Sequence, residues 1–308
     1  MLYLTTREKF DAYTPSRTLQ SDTAADGGMY VPYRMPVFDQ AQLNALLSQS
    51  FGQVVACLLN QFFGGNLSGW DVDSCVGKHP VKVVAVGNRI YAAQLWQNLD
   101  GSYAQLEKSL AGKIPGFPGQ ITSWLKIAIR ISALFGVFAE MSQYGMLSDE
   151  KPDIAVSADD FAIPMAAWYA RRMGLPIGTI ICSCQEKSGV WELIHLGEMK
   201  TDADIKVLRE VERLIFGTLG LDEAKEFGQV VSRQGTYKLL GVDAETVRNG
   251  LFCSVIGTQR SQEVIPMVFR TNAYSLSPDA AAPYAALMDY RAKIGSNQDC
   301  LLLEDSKP

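Results

Sequence analysis

The chain has 308 residues, with 47% hydrophobic and 20% charged, more than one typical domain and ample material for a buried core. Its formal net charge of −5 and pI near 5.2 argue against nucleic acid or an anionic membrane as a main partner. The opening MLYLTTREKF brings Arg7, Glu8 and Lys9 before any apolar core, so it does not read as a signal peptide, and a cytoplasmic location is expected.

LYLTT at the N-terminus reads as a strand, followed by the turn cluster DTAADGGMYVPYRMP. Residues 39–63 carry helical periodicity and stop at Gly64-Gly65. HPVKVVAVG and RIYAAQLW read as a strand pair around Gly87-Asn88. A helix is expected over 102–113, and PGFPG at 115–119 breaks the chain before a long helix from about 121 to 146. That stretch carries Lys126, Arg130 and Glu140 at helical spacing, which marks a buried amphipathic helix and not a membrane span. DIAVS, FAIPMAAWYARRM and GTIICSC then form a strand–helix–strand unit joined by GLPI. Helices follow around 203–217, 222–231, 243–250 and 278–293, alternating with short apolar stretches such as VIPMVF and the terminal CLLLE. The class is α/β, a parallel-sheet core with flanking helices, without internal repeats or long linkers.

The cysteines are Cys57, Cys75, Cys182, Cys184, Cys253 and Cys300, and the only histidines are His79 and His195. Cys182 and Cys184 share one face of a strand, but no histidine stands at ligand spacing from them. Buried thiols are expected here, with no metal site and no disulfide framework. No phosphate loop of the Gly-x-Gly-x-x-Gly kind occurs.

The junction SADDF, from Ser157 to Phe161, lies between a strand and a helix. In open α/β sheets ligands bind there, where helix N-termini present free amides. Two carboxylates oppose an anion at such a place. Two readings stay open: Asp159 or Asp160 caps the helix, with Pro164 in its amide-free first turn, or one carboxylate faces a cationic ligand.

Several segments in order resemble threonine synthases, fold-type II pyridoxal-phosphate enzymes that convert phosphohomoserine to threonine. YLTTR at 3–7 is similar to their Tyr-x-Ser-Thr-Arg, and ADGGMYVP at 25–32 to Pro-Asp-Gly-Gly-Leu-Tyr-Val-Pro. ITSWLKIAIR at 121–130 resembles Ile-Asn-Trp-x-Arg-Ile, and the run from Phe161 through GLPIGTII resembles Phe-Gly-Asn…Tyr-Ala-x-x-Met-Gly-Leu-Pro-Ile. EVERLIF at 210–216 and LSPDAAAPYAAL at 276–287 continue the likeness toward the C-terminus.

The departures fall on chemistry. Where the family's motif places its Schiff-base lysine, QLWQNLDGSYAQ at 94–105 has Ala104. The Ser-Gly-Asn-Phe-Gly-Asn phosphate cradle is replaced by Ala158-Asp159-Asp160-Phe161-Ala162-Ile163, without either glycine. The Ser-Gly-Asp-Thr-Gly-Ser loop has no counterpart, and the long helix fills most of the chain between Ala104 and Ser157. An α/β subdomain of the usual ~50 residues or more does not fit in what remains. The resemblance therefore implies a large-domain-like core with the small cofactor domain largely missing, organised as a threonine-synthase-like segment over 1–80 and an α/β core over 81–308. Ser157, Ala158, Asp159, Asp160, Phe161 and Ala162 would be a vestigial phosphate loop or ligand site. No catalytic residue and no cofactor are expected, the ancestral pyridoxal phosphate being lost; Lys108, one helical turn beyond Ala104, is the backup lysine. The expected function is that of a pseudoenzyme binding a small amino-acid-like ligand or a protein, the latter a second copy of the chain or a related threonine synthase. The alternatives are a working pyridoxal-phosphate lyase with a non-standard lysine and a structural or regulatory subunit.

Overall fold

The computed structural model describes residues 1–76, 81–97, 101–147 and 150–308, so His79 and the expected boundary at residue 80 lie outside the described residues. The N-terminal part runs β1 (Tyr3–Thr5), α1 (Pro15–Gln20), β2 (Tyr30–Pro32), α2 (Gln40–Leu47), α3 (Phe51–Phe63) and α4 (Gly69–Val76). Then come β3 (Lys82–Gly87), β4 (Ile90–Gln94), α5 (Tyr103–Lys113), α6 (Ser123–Gln143), β5 (Asp153–Ser157), α7 (Ala162–Arg172) and β6 (Ile180–Cys184). The chain continues through α8 (Gly189–Leu196), β7 (Glu198–Lys200), α9 (Ile205–Leu219), α10 (Leu221–Ser232), β8 (Thr236–Lys238) and α11 (Gly241–Arg248). It closes with β9 (Leu251–Val255), α12 (Thr258–Asn272), α13 (Pro278–Ile294) and β10 (Cys300–Glu304).

The central sheet has the order β3-β4-β10-β5-β6-β9. Only the β3–β4 pair is antiparallel; β4, β10, β5, β6 and β9 run parallel. The last strand of the chain thus lies inside the sheet, with all five residues buried. Side chains alternate across it as a strand requires. Ile154, Val156, Ile180, Cys182, Leu301 and Leu303 enter a core with α3, α6 and α7. Ala155, Ile181, Cys300 and Leu302 enter a second core with α12 and α13. Helices on both faces explain why DIAVS, IICSC and CLLLE read as continuous apolar runs.

The N-terminal hairpin is fixed by its turn chemistry. Asp26 accepts the Gly28 amide at 2.8 Å and the Thr5 hydroxyl at 2.5 Å, and Gly27 takes φ +77. The hairpin docks on α9: the Arg7 guanidinium donates to Glu212 at 3.1 and 3.0 Å, and Arg213, fully buried, donates to the Tyr30 carbonyl at 3.1 Å. Glu210 satisfies Arg213 from one turn away at 2.8 Å, so the buried cation is paired. The EVERLIF segment therefore holds the N-terminus in place.

Three local expectations change. The single helix over 39–63 is two, because Ser50 starts α3 with a capping box to Gln53. VIPMVF belongs to α12, which continues through Pro266 and buries Val264 and Val268 one turn apart. LFCSV forms the edge strand β9, not singled out from the sequence. All six cysteines are free thiols; Cys182, Cys184, Cys253 and Cys300 are buried and Cys57 and Cys75 half-buried.

α6 passes α3 closely at Gly136, where an added Cβ would lie 2.5 Å from the Phe51 ring. Alanine improves helix propensity by ~1 kcal/mol, whereas overpacking a core costs ~1–3 kcal/mol. Gly136→Ala is expected to destabilise by about 1 kcal/mol, read as a lower urea midpoint with an unchanged slope.

Candidate functional site

The carboxyl ends of β5, β6 and β9 form one edge, where the chain turns into α7, α8 and α12. At the β5–α7 junction Phe161 stands at the N-cap with φ 57 and ψ 2, a left-handed backbone uncommon for a bulky residue, with its ring fully in the core. Ala158 and Ala162 are buried beside it. Asp160 Oδ1 accepts the amide of Ala162 at 3.1 Å, and Asp160 Oδ2 forms an ion pair with Lys126 Nζ from the first turns of α6. The carboxylate thus reaches the first helical amide from one position before the N-cap. Pro164 presents no amide at all.

Burial of Asp160 favours the neutral acid, but Lys126, the Ala162 amide and the charge of Arg130 outweigh it, so the carboxyl sits below its ordinary range. Asp159 points outward and accepts Gln185 Nε2 at 3.0 Å; its own amide donates to Ser157 Oγ at 3.2 Å. Of the two expected caps, Asp160 takes the role and Asp159 is left facing solvent.

The position carrying Ala104 is exposed, and so is Lys108 one turn on. The buried face of α5 carries Tyr103 and Glu107. The Arg130 guanidinium stacks 3.3 Å from the centre of the Tyr103 ring and donates to both oxygens of Asp305 at 2.8 and 2.7 Å. Burial pushes the Glu107 carboxyl above its usual range despite Arg130 and Lys126 nearby. Lys126, Arg130 and Glu107 were not among the sequence candidates. The only signal for Lys126 and Arg130 was a pair of cations four residues apart in a largely apolar helix, and Glu107 on α5 carried none.

On the α12/α13 side of the sheet the same edge opens into a cavity of about 580 Å³. Ser157 and Ser183 form its floor, and the first turns of α12 and α13 its walls. Asp159, Glu186 and Asp279 are its charged lining residues, with no lysine, arginine or histidine among them. Of the six residues expected from the sequence, Ser157 and Asp159 therefore line the cavity, Asp160 turns to Lys126, and Ala158, Phe161 and Ala162 are packing. His195 lies apart, stacked 4.8 Å from Trp191 and bonded to the Cys253 carbonyl at 2.8 Å.

Residues 2–79 match a family described as the threonine synthase N terminus. The whole chain superposes on pyridoxal-phosphate-bound threonine synthase from Brucella melitensis with a TM-score of 0.79 at 18% identity, covering 100% of this chain and 89% of that one. Yeast threonine synthase gives 0.80 at 14% identity over 100% and 87%, and the Escherichia coli enzyme 0.66 at 13% over 100% and 89%. This chain joins a segment similar to the threonine synthase N terminus to the fold seen in those enzymes. The motifs at 3–7 and 25–32 fall within the matched segment and form β1, the Asp26 turn and β2. Among the described residues no helix is long and apolar enough to cross a membrane, and no group of three or more His, Cys, Asp or Glu is placed to hold a metal.

A test of the Asp160 arrangement follows from its two bonds. A cap contributes ~1 kcal/mol, and an ion pair about a third exposed on both sides adds ~0.2–1 kcal/mol. Asp160→Ala should cost about 1–2 kcal/mol at neutral pH. A carboxyl depressed in the folded state stabilises above its unfolded pKa of ~4 and loses that contribution as pH falls through the folded value. The difference between wild type and variant in urea unfolding is therefore expected to shrink below about pH 4.

Proposed function

We propose that this chain is a threonine-synthase-like pseudoenzyme, with pyridoxal-phosphate chemistry lost and a small-molecule binding role in its place. The observation that carries this reading is the Asp160 carboxylate on the Ala162 amide, paired with Lys126. The N-terminus of a helix after a parallel strand is where backbone amides and dipole would hold a phosphate. Here the protein's own anion takes that amide and its nearest cation. At ~4 Å and an effective dielectric of about 20, each added negative charge would meet about 4 kcal/mol of repulsion from that carboxylate.

The residues present do not fit pyridoxal phosphate. Ala104 supplies no amine and Lys108 stands on the exposed face of α5. No lysine lines the cavity, and Lys126 is already held by Asp160. We therefore derive no step through the cofactor. The largest described sheet is the six-stranded one, the others having two strands each, which supports a reduced cofactor domain.

For the binding role the cavity favours a small ligand over a protein partner, because it is concave, polar and at the carboxyl ends of the strands. An amino-acid-like molecule is the class whose ammonium suits its carboxylates.

The test is covalent trapping. Protein incubated with pyridoxal phosphate, reduced with borohydride and mapped by mass spectrometry is expected to show only scattered, substoichiometric labelling of surface lysines. One stoichiometric adduct on Lys108 or Lys126, abolished by alanine at that position, would overturn the reading in favour of a lyase with a non-standard lysine.

A further inference from the structure

The cavity floor has a chemical pattern that the fold alone does not require. Ser157, Ser183 and Ser254 lie side by side in register across β5, β6 and β9. They share the face of Ala155 and Ile181, one row nearer the carboxyl edge, so an apolar row gives way to a row of hydroxyls. The outer two are engaged: Ser254 donates to Asp289, and Ser157 Oγ accepts the Asp159 amide. Ser183, at the centre, is only 3% exposed, lines the cavity, and has no side-chain partner among the described residues. Its oxygen opens into the cavity, where the hydroxyl is free to donate to or accept from an occupant.

The electrostatics around Ser183 have two poles. At the rim, Asp159 and Glu186 are exposed carboxylates, Asp159 with one oxygen on Gln185 Nε2; the third, Asp279, is engaged through both oxygens by the Asp305 amide at 2.6 Å and the Ser306 hydroxyl. On the far wall α12 begins at Gly257 with no side-chain cap, so its first-turn amides present a positive end. The carboxylates are not grouped for a metal ion, and about 580 Å³ is the size of an organic molecule's site. A dication would meet the helix end unfavourably, and a phosphate would meet the carboxylates.

We propose that this cavity binds a small unphosphorylated amino acid, its ammonium against Asp159 and Glu186, its carboxylate over the first turn of α12, and the Ser183 hydroxyl hydrogen-bonded to it. This rests on the binding role argued above and names its ligand class.

Calorimetric titration of the full chain with each common amino acid in turn, and with O-phosphoserine, ethanolamine and lactate, tests it. At least one amino acid should bind, while ethanolamine, lacking the carboxylate, and lactate, lacking the ammonium, bind at least about tenfold more weakly. Asp159→Asn/Glu186→Gln should weaken the amino acid by about tenfold or more, and Ser183→Ala by about fivefold, the worth of one neutral hydrogen bond. Both rim residues are exposed, so thermal melting should show the double variant folded; if it does not, Glu186→Gln alone carries the same expectation. No amino acid binding at about 10 mM, tighter binding of O-phosphoserine than serine, or an unchanged affinity in the rim variants would each overturn the proposal. Failure of the two readings is distinguishable: a stoichiometric pyridoxal-phosphate adduct sinks the pseudoenzyme while the rim variants still report on this cavity. Absent amino-acid binding without an adduct sinks the cavity proposal alone.

Discussion

The carboxylate of Asp160 joins three elements at the edge of the sheet. Through Oδ1 it closes the first amide of α7, and through Oδ2 it holds Lys126 of α6 against the end of β5. Lys126 would otherwise be an ammonium half-buried beside Arg130, and α7 would begin with an open amide next to a proline. One anion answers both needs. A bound anion would answer them as well, so an internal carboxylate and an external phosphate compete for the same donors.

The neighbouring charges follow the same logic of internal pairing. Arg130 is fully buried, yet it stacks on Tyr103 and is bidentate to Asp305 just beyond β10. Asp305 in turn donates its amide to Asp279 at the start of α13. A buried guanidinium stays affordable only when paired and stacked in this way. On the α5–α6–α7 side Asp160 is paired with Lys126 and Arg130 with Asp305, while Tyr103 Oη, Glu107 Oε1 and Trp124 Nε1 stay buried without a hydrogen-bond partner among the described residues. On the α12/α13 side, across the sheet, the Ser183 hydroxyl, the exposed carboxylates of Asp159 and Glu186 and the uncapped start of α12 line a cavity whose polar surface can meet a ligand.

The sheet explains how two such different environments sit a few residues apart. Alternation along β5 and β6 sends Val156 and Cys182 to one core and Ser157 and Ser183 to the other side. The loop after Ser157 then divides again, Asp159 toward the cavity and Asp160 toward Lys126. Phe161, buried with its left-handed backbone, fixes this split by pinning the loop into the core.

Much of this was legible in the residues. The apolar runs and their punctuation mark β5, α7, β6 and α6, because periodicity and turn chemistry are local properties. The N-terminal motifs mark the hairpin and its Asp26 turn, and the SADDF junction marks the edge where a site belongs. That no glycine stands in the SADDF junction and no amine at Ala104 is a fact of sequence alone. What the sequence did not decide is who pairs with whom. Whether Asp159 or Asp160 caps α7 depends on Lys126, which is 34 residues away. The burial of CLLLE as an interior strand depends on neighbours far earlier in the chain, and the row Ser157–Ser183–Ser254 exists only once three parallel strands come into register. Pairing in a parallel sheet and ion pairing between helices are contacts between residues distant in sequence, so only the tertiary structure could settle them.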